Sequence, residues 1–320
     1  MPETTPVAGT ARATNGRATG RRGHPRLPGA PLLATLALLA VTACWGSTFF
    51  LIKDLLHDVP VLDFLAVRFA IASVSLVVLA PKALLRLSAV ARRRAVVLGL
   101  VYGVAQILQT TGLAHTPASV SGFITGMYVV CTPLLAAVIL RQKITGLTWG
   151  AVGLAVVGLG VLTLGGLSIG YGEALTLLSA ILYALHIVAL GAWSDSREAM
   201  GMAIVQLIVI TVLCFAVTAP DGVVLPHTVG DWLSVIYMAV FSGALAMAAQ
   251  TWAQAHLPPT RTAIIMSMEP VFAALFAVLF GGEGFTVRMG VGGALVLAAM
   301  LTVELAPRRH LEGEVPHIAV

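Results

Sequence analysis

Charge is what this sequence has least of. Only 10% of its 320 residues are Asp, Glu, Lys or Arg, against about 25% in soluble domains. Hydrophobic residues make up 58%, and the mean hydropathy is +0.95. So few polar groups cannot cover a water-facing exterior, so a soluble fold is excluded and a lipid-facing one is implied. Cysteine is also scarce. Cys44, Cys131 and Cys214 each lie in an apolar stretch without CxxC spacing, and they read as small packing residues instead of a disulfide or metal site. No GxxxxGKS/T loop is present, which argues against an ATP-driven pump, and no HExxH motif occurs. No catalytic residue, metal or cofactor is expected. The net charge of +5 resides in short loops and not on a folded face, so nucleic acid is not an expected partner.

What is there is a series of apolar stretches of spanning length. Residues 1–30 are rich in Thr, Ala, Gly, Pro and Arg and read as a disordered cytoplasmic tail. A cleaved signal peptide is not expected, because the next apolar stretch runs on through Trp45-Gly46-Ser47-Thr48. Ten spans follow, at roughly 31–52, 62–80, 94–113, 118–140, 146–166, 172–192, 200–218, 232–254, 259–281 and 285–305. Very short turns, His115-Thr116-Pro117 and His256-Leu257-Pro258, join spans 3 to 4 and 8 to 9. Residues 306–320 read as a second cytoplasmic tail. With both termini inside, sixteen Lys and Arg fall on the cytoplasmic side and only Lys53 and Arg288 outside. Scarce lysine with abundant Arg, Ala, Gly and Val is the usage of GC-rich bacteria, so the expected location is a bacterial inner membrane.

The chain repeats itself. A shift of 141 positions sets Gln109-Thr110 on Gln250-Thr251, Ala114-His115 on Ala255-His256, Pro117 on Pro258, Leu134 on Leu275, Ala136 on Ala277 and Thr145 on Thr286. A weaker match at 138 sets Trp45 on Tyr183 and Thr48 on His186. The expected fold is therefore an all-α membrane protein of ten transmembrane helices. Its halves, 31–166 and 172–305, form two five-helix repeats. Five is odd, so the copies enter the membrane from opposite sides, which gives an inverted-topology repeat suited to alternating access.

Polar residues inside such spans are costly and mark interior surfaces. Ser121, Thr125, Tyr128 and Thr132 recur at steps of four, three and four and form one stripe of span 4. Their repeat partners are Thr262, Met266, Glu269 and Ala273. Both faces are expected to line a central cavity, with interhelical hydrogen bonding and backbone back-bonding as the alternative. Glu269 lies near mid-membrane beside Pro270, which frees a carbonyl one turn earlier. A carboxylate there suits proton coupling, a cationic substrate group, or a charge pair with Arg68 of span 2. His186 shares a face with Ser179 and Tyr183, and reads either as a titrating group or as a hydrogen-bonded packing residue. Trp45, Tyr128 and Tyr183 suit ligand stacking or packing equally. Gln106, Gln109, Gln250 and Gln254 give spans 3 and 8 polar faces. Glycines in spans 5 and 10 read as close helix packing, or else as a homodimer contact.

These residues resemble the drug/metabolite transporter superfamily, specifically its EamA-type permeases. The resemblance covers about residues 31–305. It rests on Trp45-Gly46, Arg68-Phe69, Met268-Glu269-Pro270-Val271, Gly282-Glu283 and Thr286 before a Gly-rich last span. It implies a ten-helix inverted-repeat carrier, an exporter of a small metabolite, amino acid or drug-like compound, with a cavity lined by spans 1, 3, 4, 6, 8 and 9. Two departures stand out. Gln142, within Arg141-Gln142-Lys143, replaces a glutamate usual in the family, and Pro133 lies one turn beyond Val129, the partner of Pro270. The alternative functions are a passive facilitator or channel of the same fold and a membrane-embedded lipid-handling protein.

Overall fold

The computed structural model describes residues 30–139, 146–163, 170–194, 197–218, 222–254 and 265–305. Among these residues every regular element is helical and no strand occurs. The helices are α1 (Ala30–Leu55), α2 (Val61–Leu79), α3 (Ala89–Ala114), α4 (Ala118–Thr125), α5 (Tyr128–Ile139), α6 (Gly146–Thr163), α7 (Tyr171–Trp193) and α8 (Ala199–Thr218). Then come α9 (Val229–Tyr237), a π-helical stretch (Met238–Leu245), α10 (Ala246–Gln254), α11 (Glu269–Leu279) and α12 (Val287–Leu305). Among the described residues, seven segments are long and apolar enough to cross a membrane, and three shorter apolar helices accompany them. The chain is thus a multi-pass membrane protein.

Burial follows the logic of a lipid solvent. Val78, Val212 and Val287 are exposed, while Thr110, Ser119, Thr176 and Gln206 are fully enclosed. The helix ends are capped locally. Ser88 accepts from the Ala91 amide at the start of α3, and Thr228 and Asp231 form a capping box at the start of α9.

The helices of the first half pack chiefly on those of the second. The pairings are α3 with α7, α3 with α8, α1 with α11, α2 with α8, α4 with α11 and α6 with α12. Exchange each helix for its counterpart one repeat away, and, where both counterparts are described, these pairings turn into themselves or into others that are present. Thus α3 on α7 becomes α10 on α1, and α3 on α8 becomes the π-helical stretch on α2. Close approach at these crossings depends on glycine. A Cβ on Gly46 would stand 2.5 Å from Phe272 Cβ and 2.8 Å from the Ala273 nitrogen, so only glycine lets α1 cross α11. In α6, Gly158 packs closely on Leu295 and Val296 of α12, whereas Gly146, Gly150 and Gly153 have no neighbour within 4 Å of where a Cβ would stand.

Three spans depart from a regular α-helix. Span 4 breaks at Gly126-Met127, where the Met127 amide turns back to Ile124 O at 3.0 Å. The other break is at Ser267-Met268, where the Met268 amide bonds Ile265 O at 3.1 Å. The breaks stand 141 positions apart, the repeat shift. The kinks are therefore equivalent although the prolines are not. Pro133 sits inside α5, whereas Pro270 occupies the first turn of α11, where its missing amide costs nothing. Span 8 widens into π turns, which loosen the backbone ladder and free carbonyls for other donors. The turn at His256-Leu257-Pro258 lies outside the described residues.

Candidate functional site

A cavity opens between the halves. Helix α1 contributes Trp45, Thr48, Phe49 and Ile52, and α2 contributes Arg68. Helix α3 gives Tyr102, Gln106 and Gln109, and the broken fourth span gives Thr125 and Tyr128. The second half supplies Tyr183, His186 and Ile187 of α7, Gln250 of α10, and Met266 and Glu269 around the second break.

The two breaks build the centre of this cavity. Tyr128 and Glu269 are each the first residue of the helix that restarts. Tyr128 Oη stands 3.1 Å from Glu269 Oε2 and 3.1 Å from Met266 O. That carbonyl would have accepted the amide of residue 270, and Pro270 has none to give. One tyrosine proton serves one acceptor at a time. With Glu269 ionised, Tyr128 donates to the carboxylate. With Glu269 protonated, the carboxyl donates to Tyr128, whose own hydroxyl donates to Met266 O. Only in the protonated state do both Glu269 and Met266 O have a partner in this cluster.

Around it runs a network of amides and phenols. Tyr183 donates to Gln109 Oε1 at 2.7 Å, and Gln109 Nε2 donates to Thr125 at 3.1 Å. Gln106 Nε2 donates to Tyr102 Oη at 2.9 Å. The Tyr102 ring lies 5.6 Å from Tyr183 and 5.1 Å from His186, centroid to centroid. His186 Nε2 is 2.7 Å from Gln206 Oε1, and Gln206 Nε2 donates to Met202 O at 3.2 Å. That second bond orients the amide, so Nε2 of His186 carries the proton and Nδ1 is left as an acceptor. Trp45 Nε1 donates to Ser242 O in the π-helical stretch at 2.9 Å, and Thr48 bonds back to Trp45 O.

Arg68 is buried, and its guanidinium lies 5.8 and 5.3 Å from the ring centroids of Phe64 and Phe69. Its Nε has no hydrogen-bond partner. Its recorded contacts are thus with rings, and those of Glu269 with Tyr128.

Two members of the span 4 stripe do not line the cavity. Ser121 is fully buried with an unpartnered hydroxyl, and Thr132 bonds back to Tyr128 O. The break between them interrupts the helical register on which a single stripe depends. Ser179 likewise bonds back, to Thr176 O. Thr262 lies outside the described residues, as does the side chain of Gln254. Tyr102 was open to discovery from sequence, since it precedes Gln106 and Gln109 by four and seven positions on one face of α3. Gln206 is the counterpart of Arg68 at the 138 shift.

The Gly282-Glu283 signature has a structural task. Gly282 adopts φ +70°, a conformation open to glycine, and turns the chain after α11. Glu283 then accepts from the Ala118 and Ser119 amides and the Ser119 hydroxyl, capping α4. Lys53 closes the other side of the same turn by donating to Thr116 O at 2.6 Å. The string Gly166-Leu167-Ser168-Ile169-Gly170 has lipase-like spacing, but residues 164–169 lie outside the described residues.

The EamA-like transporter family matches residues 32–164 and again 170–305. A relative from Archaeoglobus fulgidus, itself called an uncharacterized transporter, is 29% identical over 276 residues and covers 86% of each chain. A solved crystal structure superposes with a TM-score of 0.62 at 17% identity, over 87% of this chain and 98% of the other, a likeness of fold alone. With two family copies spanning nearly all of its apolar helices, the chain belongs to the EamA-like transporter family and is a multi-pass membrane transporter.

Proposed function

We propose that this protein is a secondary carrier that moves a small organic molecule out across the bacterial inner membrane by alternating access. In this reading ten helices form two inverted five-helix repeats, both termini face the cytoplasm, and the cavity between the halves holds the substrate. The observation that carries it is that repeat equivalents touch one another. Tyr128 meets Glu269 across 141 positions, and Ser73 meets Thr211 at 3.1 Å across 138. A residue touches its own equivalent only beside a two-fold axis. For five-helix copies such an axis lies in the membrane plane, which lets the halves exchange conformations around a fixed site. Interrupted helices at that site are a recurrent feature of such carriers.

Counterflow tests the reading. A compound found by thermal-shift screening of amino acids, nucleobases and cationic drugs is loaded unlabelled into proteoliposomes. It should draw its labelled form inward against a gradient. Equilibration without overshoot would favour a passive facilitator of the same fold. Topology is checked by an impermeant thiol reagent on Arg86→Cys and His227→Cys in a chain lacking Cys44, Cys131 and Cys214. The first should react from the cytoplasm and the second from outside.

A further inference from the structure

We propose that Arg68 is the docking group for an anion, and that the substrate carries a carboxylate seated on it with a flat apolar body beside Tyr102, Tyr183 and His186. This rests on the cavity being the substrate site. Arg68 is only 3% exposed, yet it lines that cavity. A guanidinium has five donors and no acceptor, and an uncompensated charge inside a membrane protein is costly. The contacts with Phe64 and Phe69 engage ring faces and leave the in-plane N–H edge of the guanidinium unanswered, as the unpartnered Nε shows. The one other charged residue of the lining, Glu269, has its recorded hydrogen bond with Tyr128.

The second half supplies an internal control. The position equivalent to Arg68 is Gln206, and Gln206 is satisfied within the protein by His186 and Met202. The first half places a cation there, and among the described residues its Nε has no such partner. A planar two-oxygen anion fits the guanidinium fork in a bidentate pair. The clustered rings of Tyr102, Tyr183 and His186, with centroids 5.6 and 5.1 Å apart, offer an aromatic or similarly flat body a matching wall. His186 Nδ1 adds one acceptor for a substrate donor.

Matched probes test this on the purified full chain by calorimetry. Phenylacetate is compared with phenylacetamide, benzoate with benzamide, and both acids with phenethylamine. The acids should bind at least about tenfold more tightly than their amides, a difference of about 1.4 kcal/mol. That preference should vanish in Arg68→Gln and persist in part in Arg68→Lys. The acid–amide comparison on the unaltered protein stands even where Arg68→Gln fails to fold. Equal binding of acids and amides, preference for the amine, or no binding of either acid overturns the anion site. Binding of the amine or the amides alone leaves the carrier reading intact. If no probe of any class shields the thiol of Thr125→Cys from a thiol reagent, the anion site and the cavity reading fall together.

Discussion

Tyr128 Oη lies 3.1 Å from the carboxylate of Glu269, and the two residues hold the same place in the two halves of the chain, 141 positions apart. Both begin a helix that restarts after a break, so the contact joins the two halves at equivalent positions. Tyr128→Phe removes the hydroxyl and nothing else. A hydrogen bond to a charged group contributes about 1.5–3 kcal/mol, and a neutral one about 1 kcal/mol. The variant should melt lower by an amount in that range and transport more slowly, as read by thermal unfolding and counterflow rate. Unchanged transport would remove Tyr128 from the mechanism.

Glu269 separates proton coupling from scaffolding. Glu269→Gln keeps the size and most of the hydrogen bonding but cannot lose a proton. If Glu269 carries protons, exchange of substrate persists while a pH gradient no longer drives accumulation, and melting is little changed. If Glu269 instead pairs with Arg68 as a scaffold, either single neutral variant destabilises by about 3–5 kcal/mol and the double variant recovers. Transport driven by a pH gradient and melting temperature, measured on Glu269→Gln, Arg68→Gln and the double variant, distinguish the two.

Gly46 sits where α1 and α11 cross, and a methyl group there meets the Phe272 side chain and the Ala273 backbone. Backbone atoms cannot swing aside as a flexible side chain can. Gly46→Ala should therefore cost about 1–3 kcal/mol by overpacking and lower the melting temperature. Gly150→Ala, with no neighbour within 4 Å, should not.

Much of this arrangement was legible in the sequence, for identifiable reasons. The repeat shows because Gln109-Thr110 and Gln250-Thr251 kept identical polar pairs in apolar helices, where little else is polar. Gln106, Gln109, Thr125, Tyr128, Met266 and Glu269 could be placed on interior faces by helical spacing, and all six line the cavity. The breaks were hidden. Gly126-Met127 and Ser267-Met268 share no strong turn signal, and the prolines nearby drew attention to positions that are not equivalent. Without the break, Ser121 and Thr132 looked like members of one stripe. The partner of Glu283 was illegible for another reason. It is a helix start, Ala118-Ser119, that lies 164 to 165 positions away and offers backbone amides, which leave no mark in side-chain patterns.

That capping contact is itself testable. Glu283→Ala leaves the first amides of α4 without their acceptor and should cost about 0.5–2 kcal/mol, as lost helix caps do. Glu283→Gln keeps an acceptor and should cost less. Melting temperatures of the two variants check the order.

Alternating access is tested most directly at Thr125, which lines the cavity beside the first break. Thr125→Cys, in a chain lacking Cys44, Cys131 and Cys214, is exposed to an impermeant thiol reagent from one face of the membrane at a time. The account predicts labelling from either face, slowed by bound substrate in both cases, because the cavity opens to each side in turn. Labelling from one face only, unchanged by substrate and by its gradient, would contradict it.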